Sequence, residues 1–252
     1  MLLPIGDDNR DRRSTPVVNY LLIIINIVVF VFLQQYAHNE LFTFTYSTVP
    51  AEILSGKDIY GSVPFPNPIN GDMEYVTYGQ SPWPVYTTLI TSMFMHGGWA
   101  HLAGNMLFLW IFGDNLEDEM GHGRYLFFYL LCGVLASLSH VLSSAYFGQN
   151  PYIPSLGASG AISGVLAGYM IQHPTRRVHV WFLFSIVSLP AFLVVGLWFV
   201  FQIINGYGAL GGNEAGGVAY AAHIGGFIFG LLLVKMFVRK KIVLPEERKS
   251  FW

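Results

Sequence analysis

The sequence predicts an all-α, polytopic membrane protein: a bundle of six transmembrane helices with both termini on the cytoplasmic side. Three observations lead there. Of the 252 residues, 53% are hydrophobic and 11% charged, against roughly 25% charged in soluble domains. A water-facing surface cannot be covered with so few polar groups. Six apolar stretches follow one another, at about 17–35, 98–115, 124–147, 157–172, 179–204 and 215–238, and most approach the ~20 residues that cross a bilayer. With six spans and the N-terminus inside, Lys57 alone of the 13 basic residues falls outside, as the positive-inside rule requires.

Each element follows in order. Residues 1–16 are polar and form a cytoplasmic N-terminus. The stretch 17–35 lacks the small-residue cleavage site of a signal peptide and reads as a retained helix. Segment 36–84 is a long external loop rich in Pro, Gly and aromatics; its length exceeds a plain turn, and Trp83 and its neighbours suit the membrane interface. The stretch 157–172 gives only about 24 Å of helix at 1.5 Å per residue, less than the hydrocarbon thickness of about 30 Å. Residues 239–252 form a basic cytoplasmic tail. The whole chain, 1–252, reads as one membrane domain, multi-pass in the cell (inner or plasma) membrane. The single Cys132 excludes an intrachain disulfide and a cysteine-rich metal site, and the net charge of −2 leaves no basic field for nucleic acid.

Polar side chains at membrane depth are costly and mark function by default. His101 and Asn105 share one face of the second span, with His96 at its entrance. Ser159 and Ser163 lie in the fourth span, His223 in the sixth and His140 near the outer end of the third. His101, Asn105, Ser159 and His223 all fall early in spans that run inward, so they converge in the outer half of the membrane. A structural reading stands beside each. Serines in such helices commonly bond a carbonyl one turn back, and Asn commonly links helices. His140 reads as an interface group. Gly160, Gly164 and Gly168 form a small-residue face, as do Gly226 and Gly230. His223 lies on the same face as Gly226, so close packing of the fourth and sixth spans would carry it toward Ser159.

Other chemistries lack their residues. No His is followed by Glu as zinc proteolysis needs, and no Asp pair lies deep in the spans. "GASGA" departs from the G-x-S-x-G elbow, and no phosphate loop is present.

"HGGWAHLAGN" (96–105), "GASG" (157–160) and "AHIGGFIFG" (222–230), with Leu116-Glu117, Gly121, Arg124 and Tyr125 between them, resemble the rhomboid family of intramembrane serine proteases over about 85–238. The resemblance implies Ser159 as nucleophile, His223 as its base, and His101 with Asn105 at the oxyanion hole. His96, Gly157 and Gly160 are candidates for supporting roles. It implies no cofactor and no metal; the partners would be transmembrane protein substrates and the lipid bilayer. Two features depart from the pattern. Ser163 stands where some members carry a Tyr packed on the catalytic His, and 36–84 has no Arg for a Trp-Arg pair. The alternatives are a catalytically inactive relative that binds membrane proteins for quality control, and a transporter with a histidine proton path. The almost purely apolar inner half argues against the transporter.

Overall fold

The computed structural model describes residues 3–66, 73–210 and 219–239. Helix α1 (Val17–Val28) runs on as a π-helical turn over Val29–Leu33. The main helices that follow are α5 (Trp99–Met120), α6 (His122–Phe147), α7 (Ser159–Gln172), α8 (Ala191–Leu210) and α9 (Tyr220–Phe237). Of the described helices, α6, α8 over Ala191–Gly208 and α9 are long and apolar enough to cross a membrane. Large apolar side chains face outward along α8, among them Phe192, Leu197, Phe201 and Ile204.

Short α7 is the axis of the bundle. Every residue from Gly160 to Tyr169 is buried, as expected of a helix apolar on all sides. Glycine sets how near its neighbours come. A Cβ on Gly160 would stand 2.7 Å from Ala136 Cβ, and one on Gly164 would stand 2.6 Å from Cys132 Cβ. From the α9 side, a Cβ on Gly230 would stand 2.7 Å from Gly164 Cα, and one on Gly226 would overlap the Gly160 carbonyl oxygen. The small-residue faces expected from sequence therefore meet, backbone against backbone.

Several boundaries differ from expectation. The fold is not all-α: β1 (Leu3–Asp7), β4 (Arg177–Phe182) and β5 (Ser185–Pro190) form an antiparallel sheet in the order β1-β4-β5. The fifth helix begins at Ala191, not near 179. Along β4 burial alternates, with Val178 and Val180 buried while Arg177 and Trp181 are exposed, and the segment is rich in β-branched and aromatic residues, a strand pattern hidden inside one apolar run. The N-terminus is therefore partly a sheet strand rather than a plain polar segment. Helix α5 continues past 115 to Met120, so only Gly121, at φ +77, separates it from α6. Ser159 is the first residue of its helix rather than the third. The 36–84 segment is structured, holding α2 (Glu40–Thr45), α3 (Pro50–Ser55), β2 (Gly61–Pro66) and β3 (Met73–Tyr78), the last two an antiparallel pair. A helix α4 (Thr88–Thr91), flanked by 3-10 turns, leads from there to α5. The start of the sixth stretch, 215–218, and tail residues 240–252 lie outside the described residues.

Carboxylates tie the N-terminal segment to the bundle. Glu117, fully buried, accepts the N–H groups of Val18 at 3.0 Å and Asn19 at 2.7 Å, supplying from α5 the cap that α1 lacks of its own. Asn19 in turn donates to the Leu109 carbonyl and accepts from Tyr125 Oη. Arg12 pairs with Asp114 at 2.5 Å, and Ser14 caps onto Asp118. Asp7 accepts from Tyr169 Oη and from Asn115.

Gly226→Val drives a side chain into the α7 backbone and should lower stability by about 1–3 kcal/mol or more. Gly123→Ala, which meets nothing within 4 Å, should leave it unchanged; thermal unfolding in detergent reads the difference. Burial pushes the Asp7 carboxyl up to about 6, against the Tyr169 hydrogen bond that pulls it down. A carboxyl that binds its proton more tightly when folded stabilises the fold below about pH 4, and that stabilisation is lost as pH rises through about 6. The stability of the wild type relative to Asp7→Asn should therefore fall between pH 4 and pH 7, and a constant difference would refute this assignment.

Candidate active site

The N-terminal ends of α5, α7 and α9 meet at one end of the bundle, and the polar side chains singled out in the sequence meet there too. Ser159 Oγ lies 2.7 Å from His223 Nε2. That short distance follows from the glycine contact less than one turn of helix below it, where the α7 and α9 backbones touch at Gly160 and Gly226. Ser163 does not join the pair: its Oγ donates to the Ser159 carbonyl at 2.6 Å, the bond one turn back that serines make in apolar helices.

The approach to Ser159 is built by glycine. Gly157 has φ +121, in the left-handed region, and its N–H donates to the Ser92 carbonyl at 2.8 Å. A Cβ there would stand 2.8 Å from His101 Nε2 and 3.7 Å from Asn105 Nδ2. Both α5 side chains therefore aim at the backbone two residues before Ser159. Gly97 N–H donates to His101 Nδ1 at 3.3 Å, which leaves the hydrogen of the neutral ring on Nε2, the atom facing Gly157. Asn105 Nδ2 is buried and makes no hydrogen bond within the described residues. Ser159 opens α7, so its own N–H has no acceptor inside the helix. Two of these donors thus face Gly157, and the third belongs to Ser159 itself, two residues on.

His96 is fully buried and packs edge-on against His101, ring centroids 5.1 Å apart. Its peptide is held by Gln34, which accepts from the His96 N–H and donates to its carbonyl, each at 2.9 Å. A cavity of about 20 Å³ opens beside Ser159, lined by Ser137, Ser155, Gly157 and Ala222 among others; that is room for about one water molecule. A larger groove lies at the opposite end, walled by Asp11, Asn115, Asp118 and Arg176. Most of those side chains already pair with one another or with the N-terminal segment.

A rhomboid domain model matches residues 84–240. The chain belongs to the rhomboid family. The chain is similar to the presenilin-associated rhomboid-like protein, mitochondrial, of Homo sapiens, at 29% identity over 169 residues, 64% of this chain and 41% of that one. It is also similar to rhomboid protease GluP of Bacillus subtilis, at 36% over 143 residues, 56% of this chain and 24% of that one. Rhomboid protein 1, mitochondrial, of Saccharomyces cerevisiae matches at 32% over 163 residues, 64% of this chain and 44% of that one. The matched region thus spans less than half the length of each of these relatives. As a rhomboid with long apolar helices, the chain is a membrane protein.

Three side chains at the site escaped the sequence reading: Gln34, Trp198 and Gln202. The Trp198 ring lies 6.0 Å from the His223 ring, tilted by 35°, and Gln202 Oε1 lies 2.8 Å from His223 Nδ1. A signal for Gln202 existed. On the sequence reading it is a polar residue near the outer end of the fifth apolar stretch, in the same outer half as His223.

Proposed function

We propose that this rhomboid is an intramembrane serine endopeptidase that cleaves peptide bonds in or near the transmembrane segments of membrane-protein substrates. The observation that carries the reading is the 2.7 Å contact between Ser159 Oγ and His223 Nε2 beside the donors of His101 and Asn105. Ser159 Oγ attacks the scissile carbonyl carbon while His223 Nε2 takes the hydroxyl proton. The developing oxyanion is met by Asn105 Nδ2, His101 Nε2 and the Ser159 N–H at the start of α7. The tetrahedral intermediate collapses as the C–N bond breaks, and His223 returns the proton to the leaving amine. Water then attacks the acyl-Ser159 ester with His223 again as base, which releases the acid and restores the serine. Gly157 and Gly160 act by their lack of a side chain, one opening the oxyanion side and the other closing α6 onto α7. His96 buttresses His101.

In this reading the bundle crosses the membrane six times, with both termini inside and the site in the outer half. The 1–16, 36–84 and 239–252 segments are parts of a single domain, orientation being set by the basic residues. Substrates would present a segment whose helix unwinds easily, because an intact helix keeps its carbonyls in internal hydrogen bonds. The reading extends to a membrane rather than to one cellular membrane, since relatives named as mitochondrial stand beside one from Bacillus.

A fluorophosphonate should label the reconstituted wild type and Ser163→Ala but neither Ser159→Ala nor His223→Ala. Asn105→Ala should slow cleavage of a model transmembrane substrate by about 10²–10³. Gly157→Ala, which forces a Cβ toward His101 Nε2 and strains the backbone at φ +121, should slow it by a similar factor and also lower the melting temperature. Absence of both labelling and cleavage in the wild type would favour the non-catalytic, membrane-protein-binding alternative. Cleavage at full rate by His223→Ala would remove the dyad.

A further inference from the structure

We infer that Gln202 is a positioning residue for His223, the third member of a Ser159–His223–Gln202 relay in which an amide stands where soluble serine hydrolases place a carboxylate. The inference rests on the Ser-His reading above and deepens it.

The geometry is specific. His223 Nε2 faces Ser159 Oγ at 2.7 Å, and Nδ1 faces Gln202 Oε1 at 2.8 Å. A neutral imidazole carries one hydrogen. With a carbonyl oxygen against Nδ1, that hydrogen belongs on Nδ1, and the Nε2 lone pair is left to accept the serine proton. A base must present this tautomer, and a wrong tautomer is what disables a triad whose orienting acid is replaced. Gln202 is itself held in place: it is buried, and Trp198, one turn earlier on α8, lies against the same imidazole. One turn later, a Cβ on Gly206 would stand 3.2 Å from Tyr220 Cβ. Trp198, Gln202 and Gly206 thus form a single α8 stripe that meets the first turn of α9. That stripe fills the place left by Ser163, which is too small and turned away to hold the ring.

A purely structural role makes different predictions. If Gln202 only fills space, Gln202→Met, of similar length and without an acceptor, should be silent. A positioning role predicts that Gln202→Met lowers kcat for a model transmembrane substrate in liposomes by about ten- to a hundredfold, with KM within about twofold, below the ~10⁴ of a lost triad carboxylate. Gln202→Glu, whose buried carboxyl is neutral when protonated and still offers a carbonyl oxygen to Nδ1, should recover most of that loss at a pH low enough to protonate it. In ¹⁵N-histidine NMR, the His223 signal (identified by its disappearance in His223→Ala) should report the Nδ1–H tautomer in the wild type and a mixture in Gln202→Met. Wild-type kcat in Gln202→Met, equal losses in the Met and Glu variants at that pH, or an unchanged tautomer would each overturn the assignment. Ser159→Ala separates the two levels of the argument. If it still cleaves, the catalytic reading itself fails; if it is dead while Gln202→Met is fully active, only the role of Gln202 falls.

Discussion

Where α7 crosses α9, glycine faces glycine, and the two backbones touch. This contact sets the geometry of everything at the site end of the bundle. A Cβ on Gly226 would occupy the position of the Gly160 carbonyl oxygen, and Gly164 and Gly230 repeat the contact one turn farther on. Apolar side chains gain nothing by leaving lipid for one another, so helix association in a bilayer relies on close van der Waals packing. Small residues therefore do more than tolerate proximity. They make the contact that places the first residue of α7 within a hydrogen bond of the first turn of α9, and a wider interface would leave Ser159 and His223 as two separate polar residues.

At the other end the chain uses charge where the first end uses glycine. Glu117 serves as a detached N-cap for α1, Asn19 and Tyr125 extend that contact across α5 and α6, and the Arg239 guanidinium occupies the space beside Gly121. The Leu116-Glu117 and Gly121 motif therefore explains itself as architecture: one side chain ties α1 to α5, and one missing side chain lets the α5–α6 corner close. Neither feature touches Ser159 or His223. Holding α1 and the N-terminal strand against the bundle keeps α5 in place, and α5 carries His101 and Asn105.

Much of this was legible in the sequence, for identifiable reasons. Ser159, His223, His101 and Asn105 are polar residues in apolar helices, where the cost of burial makes each conspicuous, and periodicity puts them on faces that can meet. The four-residue glycine spacing announced the α7–α9 contact. The hairpin over 177–190 was not legible: both of its strands are apolar enough to join the next helix in one unbroken stretch, and the pairing of β4 with β1 spans most of the chain. The true start of α7 was blurred because Gly157 and Ala158 continue the small-residue run of the helix, and only the φ of Gly157 reveals the break. Gln202 was passed over because attention to ionisable and nucleophilic groups ranks an amide low.

That ranking misjudges what a bilayer asks of a side chain that orients an imidazole. In water-facing enzymes a buried carboxylate can orient the imidazole because the surrounding dipoles and solvent share the burden of its charge. At membrane depth an isolated carboxylate is among the most costly side chains, and pairing it with a histidine that is neutral for most of the cycle does not compensate for its desolvation. An amide oxygen gives the same directional acceptor to Nδ1 without a net charge. In the proposed mechanism it would stabilise the imidazolium less strongly than an anion does, so more of the rate would come from donors aimed at the oxyanion. The proposed site would have that balance: one neutral acceptor behind His223, and Asn105, His101 and the helix-start N–H of Ser159 grouped about Gly157 and Ser159.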